Sequence, residues 1–185
     1  MYNFIETYDN VLSSEQCEKI IKHHNTCSRI RRGEIGDGID LEKKNSWDVP
    51  NKFNQETEVD IIVYQGLKKC LEKYKERNPE LNEIGYWSLQ NDYNIQQYRP
   101  GGGYFASHCE ACARGNSHRV LVWMIYLNTV TDGGGTKFPQ YDLVTDAVEG
   151  RVVLWPAAWT HFHHGVVSMT ETKYIATGWY CFVPK

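Results

Sequence analysis

His108-Cys109-Glu110 and, about fifty residues later, His161-Phe162-His163-His164 gather metal-donor side chains in one half of the chain. Lys173 follows ten places after His163. On an extended segment residues i and i+2 share a face, so His108 and Glu110 can reach one ion while Cys109 points away. His161 and His163 also share a face, and either can supply a second imidazole; position alone favours neither. Two imidazoles and one carboxylate can hold one face of a ferrous ion and leave the other open to a co-substrate and O2, as a non-haem oxygenase requires. A basic residue downstream of the second imidazole can take the remote carboxylate of such a co-substrate. Alone, HxE is an ordinary strand-edge pattern and Lys173 an ordinary strand-end lysine; the combination carries the chemistry.

Two other arrangements compete for the same stretch. Cys109 and Cys112 form a CxxC that could join His161 and His163 in a structural zinc site, but a second thiolate pair at finger spacing is missing. Gly134-Gly135-Thr136-Lys137-Phe138-Pro139 lacks the spacing of a phosphate-binding loop and reads as a hairpin turn.

The elements that must position these residues fall into two regions. Ser13 or Ser14 can cap a helix with Glu15 in its first turn, and Cys17, Ile20, Ile21 and His24 recur at helical spacing. A second helix is predicted from near Glu58 to Glu76 on the stripe Val59, Ile62, Val63, Leu67, Cys70, Leu71 and Tyr74, ended by Asn78-Pro79. Residues 29–55, polar and bearing Gly33, Gly36 and Gly38, read as loop with one short strand, either plain surface or a lid. From Trp87 the pattern turns to short strands: the alternating Tyr93–Tyr98, the β-prone Val120–Leu127, Arg151–Trp155 and Tyr174–Val183, punctuated by Gly/Pro turns. Strands so spaced, without intervening helices, imply a barrel or two-sheet jelly roll. The expected organisation is one domain over 1–185, with residues 1–85 as a helical support and 86–185 as the β-core.

A chain of 185 residues can bury a sizeable core. A net charge of −3 and pI near 6.2 give no support to a nucleic-acid partner. No stretch has the length of a membrane span, and Met1–Glu6 lacks the form of a signal peptide. A cytoplasmic protein without a membrane partner is expected, its six cysteines reduced.

Six ordered elements resemble the prolyl 4-hydroxylase-like family of Fe(II)/2-oxoglutarate dioxygenases across roughly residues 93–181. They are Tyr98-x-Pro-Gly; Tyr104-x-x-x-His108-x-Glu110; Arg119 leading into Tyr126-Leu127-Asn128; Gly134-Gly135-Thr136-x-Phe138-Pro139; Gly150-x-x-Val153-Leu154-Trp155-Pro156; and His163 with Lys173 and Trp179. The opening Phe4-Ile5-Glu6-x-Tyr8-Asp9-x-Val11-Leu12-Ser13 also looks like the start of such a domain. The resemblance implies a mainly β (α+β) fold, the double-stranded β-helix or jelly roll, with flanking N-terminal helices.

Carried over by position, it makes His108, Glu110 and His163 the iron ligands. His163 is preferred to His161 because it stands ten before Lys173 and sixteen before Trp179. Lys173 would hold the C5 carboxylate of 2-oxoglutarate, with Tyr126 and Thr136 assisting and Tyr98 close by; Arg119, Tyr104 and Trp179 would face the substrate. The implied reaction hydroxylates prolyl residues of a peptide or protein with O2, releasing succinate and CO2, and ascorbate joins the expected ligands. Where the family usually has aspartate this chain has Glu110, which keeps the charge and adds a methylene. A halogenase would have alanine or glycine there. Two further readings are a dioxygenase acting on a free amino acid or other small molecule, and a non-catalytic jelly-roll binding module. Retention of His108, Glu110, His163 and Lys173 together argues against the latter.

Overall fold

The computed structural model describes residues 2–36 and 38–184; Asp37, within the stretch read as loop or lid, lies outside them. Helix α1 (Ser14–Thr26) begins where the Ser13 hydroxyl accepts the Gln16 N–H and the Gln16 side chain accepts the Ser13 N–H. Thr57 and Asp60 open α2 (Glu58–Arg77) in the same reciprocal way. Gly66 lies where a Cβ would come 3.1–3.2 Å from Leu12 and Val11, so the helix packs tightly over the segment leading into α1.

The strands, in chain order, are β1 (Glu6–Tyr8), β2 (Arg31–Arg32), β3 (Trp47–Lys52), β4 (Trp87–Leu89), β5 (Asp92–Tyr98), β6 (Arg119–Tyr126), β7 (Thr136–Phe138), β8 (Leu143–Thr145), β9 (Val152–Pro156), β10 (His164–Gly165) and β11 (Lys173–Phe182). The larger sheet runs β1-β9-β6-β11-β5-β3-β2, with β4 also on β11, and the smaller one β10-β7-β8; every pairing is antiparallel. This is the expected mainly β jelly roll with helices outside.

The period of two along each strand explains how one sheet serves two jobs. On β6, Leu121, Trp123 and Ile125 face the core under α1 and α2, with Ile20, Val63, Leu67 and Tyr74. Val122, Met124 and Tyr126 face the space between the sheets, with Tyr98, Phe138, Val153 and Trp155. Both faces are buried, hence the unbroken apolar run in the sequence.

The N-terminal region supplies more than helices, since β1 pairs with β9 and β3 with β5. The short strand read within residues 29–55 is found as β3, with β2 beside it; its bounds are hidden in the sequence because it carries Asp48, Pro50 and Asn51. Pro50 is tolerated because β2 spans only the partners of Asp48 and Trp47, leaving the sheet edge at residue 50 without a strand beyond it.

Candidate active site

His108 and His163 lie on separate segments joined by an isolated antiparallel bridge, His108 N to His163 O at 3.0 Å and His163 N to His108 O at 2.8 Å. Two residues that exchange both backbone bonds sit directly opposite each other, and their rings are 4.4 Å apart between centroids. His108 is therefore in a bridged loop rather than on the regular strand that the i, i+2 argument assumed. Glu110 is brought to the same place by its own backbone: the N–H groups of Glu110 and Ala111 both donate to Ala157 O, at 3.1 and 2.9 Å.

The ring orientations suit a metal. His108 Nδ1 donates to Ala106 O at 2.9 Å and His163 Nδ1 to His161 O at 3.0 Å, so each Nε2 presents its lone pair inward. Glu110 Oε1 stands 3.4 Å from His108 Nε2 and 3.6 Å from His163 Nε2. The three donor atoms lie within 4.8 Å of one another, and among the described residues this is the one group of three or more such side chains that could hold an ion. Burial alone would raise the Glu110 carboxyl, but with the imidazoles protonated their hydrogen bonds and charge outweigh it and hold the group well below the usual carboxylate range; a bound cation would replace those protons and leave both rings neutral. Two neutral imidazoles and one carboxylate fit Fe(II), and the zinc alternative falls away because neither Cys109 nor Cys112 belongs to the cluster.

A cavity of about 430 Å³ opens from these donors and is lined by Tyr98, Tyr104, Arg119, Thr136, Lys173 and Trp179 among others. Lys173 is 6% exposed, and no carboxylate among the described residues pairs with it. Its ammonium lies 4.8 Å from the centroid of the Tyr98 ring. Burial pulls its pKa down to about 8. A buried cation without a partner, on the wall of a cavity, is a receptor for an anion.

The structure thus brings nine of the ten sequence-derived site residues together. Tyr126 is the one that stands a layer back. It does not line the cavity; its hydroxyl donates to Thr145 O at 3.0 Å and meets Thr136 Oγ1 at 2.9 Å, so it braces Thr136 from behind. His161 also turns away: its Nε2 donates to Asn3 O at 2.8 Å and its Nδ1 accepts from the Thr160 hydroxyl at 2.9 Å. Burial lowers its pKa, in keeping with a neutral ring in a structural role.

The sequence reading missed a polar wall. Lys44 and Asp48 form a buried pair at 2.7 Å, Ser46 donates to Asp48 at 2.7 Å, and Gln96 links Asp48 at 3.3 Å to the Tyr98 hydroxyl at 2.7 Å. The polar, every-other-residue positions Asn94, Gln96 and Tyr98 were the available signal, since they face the cavity and not solvent. Arg31, Arg32, Glu34, Ile35 and Gly36 also border the cavity, so part of the stretch read as loop or lid forms its rim.

Residues 93–181 match the family model of the 2OG-Fe(II) oxygenase superfamily. That match takes in the three donor residues, Lys173 and Trp179. It is 27% identical over 138 residues to the probable prolyl 4-hydroxylase 7 of Arabidopsis thaliana, an alignment covering 72% of this chain; the chain spans only 40% of that relative. Its fold is similar to the viral collagen prolyl hydroxylase of Paramecium Bursaria Chlorella virus-1, solved with 2OG, at a TM-score of 0.76 and 20% identity, covering 98% of this chain and 97% of the other. It is also similar to a prolyl hydroxylase of Trichoplax adhaerens, solved with a hypoxia inducible factor peptide fragment, at a TM-score of 0.73 and 16% identity, covering 97% and 84%. No helix among the described residues is long and apolar enough to cross a membrane.

Proposed function

We propose that this protein is an Fe(II)- and 2-oxoglutarate-dependent dioxygenase that hydroxylates prolyl residues in a peptide or protein. The observation that carries the proposal is the convergence, in one cavity, of an open-faced His108–Glu110–His163 donor set and the unpaired Lys173. When bound, Fe(II) and 2-oxoglutarate supply the O2 chemistry that ends in hydroxylated substrate, succinate and CO2.

The chain's own residues bind and orient. His108, Glu110 and His163 hold the metal by one face and leave the other to ligands. Lys173 takes the C5 carboxylate as a point charge, and Thr136, fixed by Tyr126, adds a hydroxyl on the same cavity wall. Phe138 and Trp155 pack beside His163, at 5.5 and 5.0 Å between ring centroids, and keep that side dry. Tyr104 stacks on His108 at 3.8 Å and borders the open side where a peptide would enter. The six free cysteines accord with a reducing, cytoplasmic setting.

The test is anaerobic titration of metal-free protein with Fe(II) and 2-oxoglutarate, followed by aerobic reaction with proline-rich peptides and mass analysis. A charge-transfer absorption, with a gain of one oxygen on proline and stoichiometric succinate, is the expected result. The absorption without any peptide product overturns the prolyl substrate and turns the search to free amino acids; no absorption from folded protein overturns the dioxygenase.

A further inference from the structure

The two oxygens of Glu110 have separate surroundings. Oε1 faces His108 and His163, whereas Oε2 accepts from Arg119 Nη1 at 3.0 Å and from the Trp179 indole N–H at 3.0 Å. The same Arg119 Nη1 also donates to the Glu110 carbonyl oxygen at 3.1 Å, so side chain and main chain of the ligand are gripped together. The guanidinium lies 3.7 Å from the centroid of the Trp179 ring, a cation–π stack that orders both donors. The pair is built by the sheet: β6 and β11 run alongside, and the register shift between Tyr180 and Cys181 sets Cys181 opposite Arg119 beside the Trp179–Val122 pair.

We propose that Arg119 and Trp179 are positioning residues that hold Glu110 as a one-oxygen donor, with the length of the glutamate side chain matched to that clamp. The inference rests on the metal-site reading above. With Oε2 saturated by two directed N–H groups, one of them charged, only Oε1 is offered to the ion, and the open face is preserved. The extra methylene matters because the carboxylate must span from the imidazoles to the Arg119–Trp179 stack. Aspartate would draw it back by about 1.5 Å, one carbon–carbon bond, and could satisfy one side only. Arg119, which the resemblance assigns to substrate, therefore acts on the ligand before any substrate arrives. Its Nε is buried without a partner.

The test uses Co(II) binding to the metal-free full chain, read by visible absorption without co-substrate or turnover. Trp179→Phe removes only the indole N–H and keeps the ring under the guanidinium; Arg119→Lys keeps the charge and loses the fork. Each should weaken Co(II) binding about 10- to 100-fold, the usual effect of losing such an outer hydrogen bond. Glu110→Asp should cost a similar factor in the natural background and under threefold in the Trp179→Phe/Arg119→Lys background. Co(II) affinity within twofold of natural in both single variants, or an equal Glu110→Asp penalty in both backgrounds, overturns the clamp while leaving the metal site intact. Absence of Co(II) binding by the unaltered protein, with its fold preserved, overturns the site and the clamp together.

Discussion

The Lys173 ammonium sits 4.8 Å from the centroid of the Tyr98 ring, on strands paired so that Lys173 and Tyr98 are directly opposite. The aromatic face is its one charge-compatible neighbour among the described contacts, and the Asp48 and Glu110 carboxylates on the same cavity serve other partners.

Because burial lowers the Lys173 pKa from 10.5 to about 8, 2-oxoglutarate binding should depend on pH in the weakly alkaline range. The anion needs the ammonium, so affinity is full below about pH 8 and falls as pH rises through it. Isothermal titration at pH 6.5–9.5 should show this decline in the unaltered protein and a flat, weak profile in Lys173→Met.

The same burial is a load on the ligand-free fold. The folded state holds the proton less tightly than the unfolded chain, so the penalty is complete below about pH 8, fades between 8 and 10.5 and vanishes above. The drop from 10.5 to about 8 corresponds to an upper figure of about 3 kcal/mol. Lys173→Met should therefore raise the melting temperature of ligand-free protein at pH 7 while weakening co-substrate binding. A lower melting temperature would count against an unpaired ammonium.

His161 and His163 differ in role though they share a sequence pattern. His161→Ala should keep metal binding and lose about 1–3 kcal/mol of stability, because Asn3 O and the Thr160 hydroxyl lose a buried partner. His163→Ala should keep the fold and lose the metal. Parallel Co(II) titrations and thermal melts separate the two.

Tyr126→Phe should lower stability by about 1–3 kcal/mol by leaving Thr145 O without the hydroxyl, with little change in 2-oxoglutarate affinity. A large loss of affinity at unchanged stability would return Tyr126 to the cavity wall.

Asp48→Asn breaks a buried ion pair from one side and leaves Lys44 facing an amide. Denaturant unfolding should show a loss of about 3–5 kcal/mol.

Much of this site can be read from local spacing because its donors lie within short motifs. His108-x-Glu110 and the ten-residue interval from His163 to Lys173 survive folding almost unchanged, the second because it reflects a fixed path from the bridge at His163 to the start of β11. Helix α2 was legible to within one residue at its C-terminus, since its stripe and its Asn78-Pro79 stop are local signals. The bounds of β3 were not, because its buried Asp48 and Asn51 read as loop residues and their partners include Gln96 and His23, distant in sequence. The partners of the Tyr126 hydroxyl were hidden for a related reason: a buried hydroxyl goes to an acceptor near it in space, and Thr145 arrives from β8. Glu110 reads as a substituted aspartate in the sequence; the partner of its outer oxygen is Trp179, sixty-nine residues away and invisible to local spacing.

Strand β6 has one further meaning. Its Leu121, Trp123 and Ile125 face the helix-covered core, while Val122, Met124 and Tyr126 face the space between the sheets, where Met124 borders the cavity. The two compartments are back-to-back rooms with a common partition, so a shift of β6 on one side is passed to the other. Amide protons along Leu121–Ile125 should accordingly exchange only when the whole molecule unfolds, and ligands in the cavity should slow that exchange as strongly as they raise global stability.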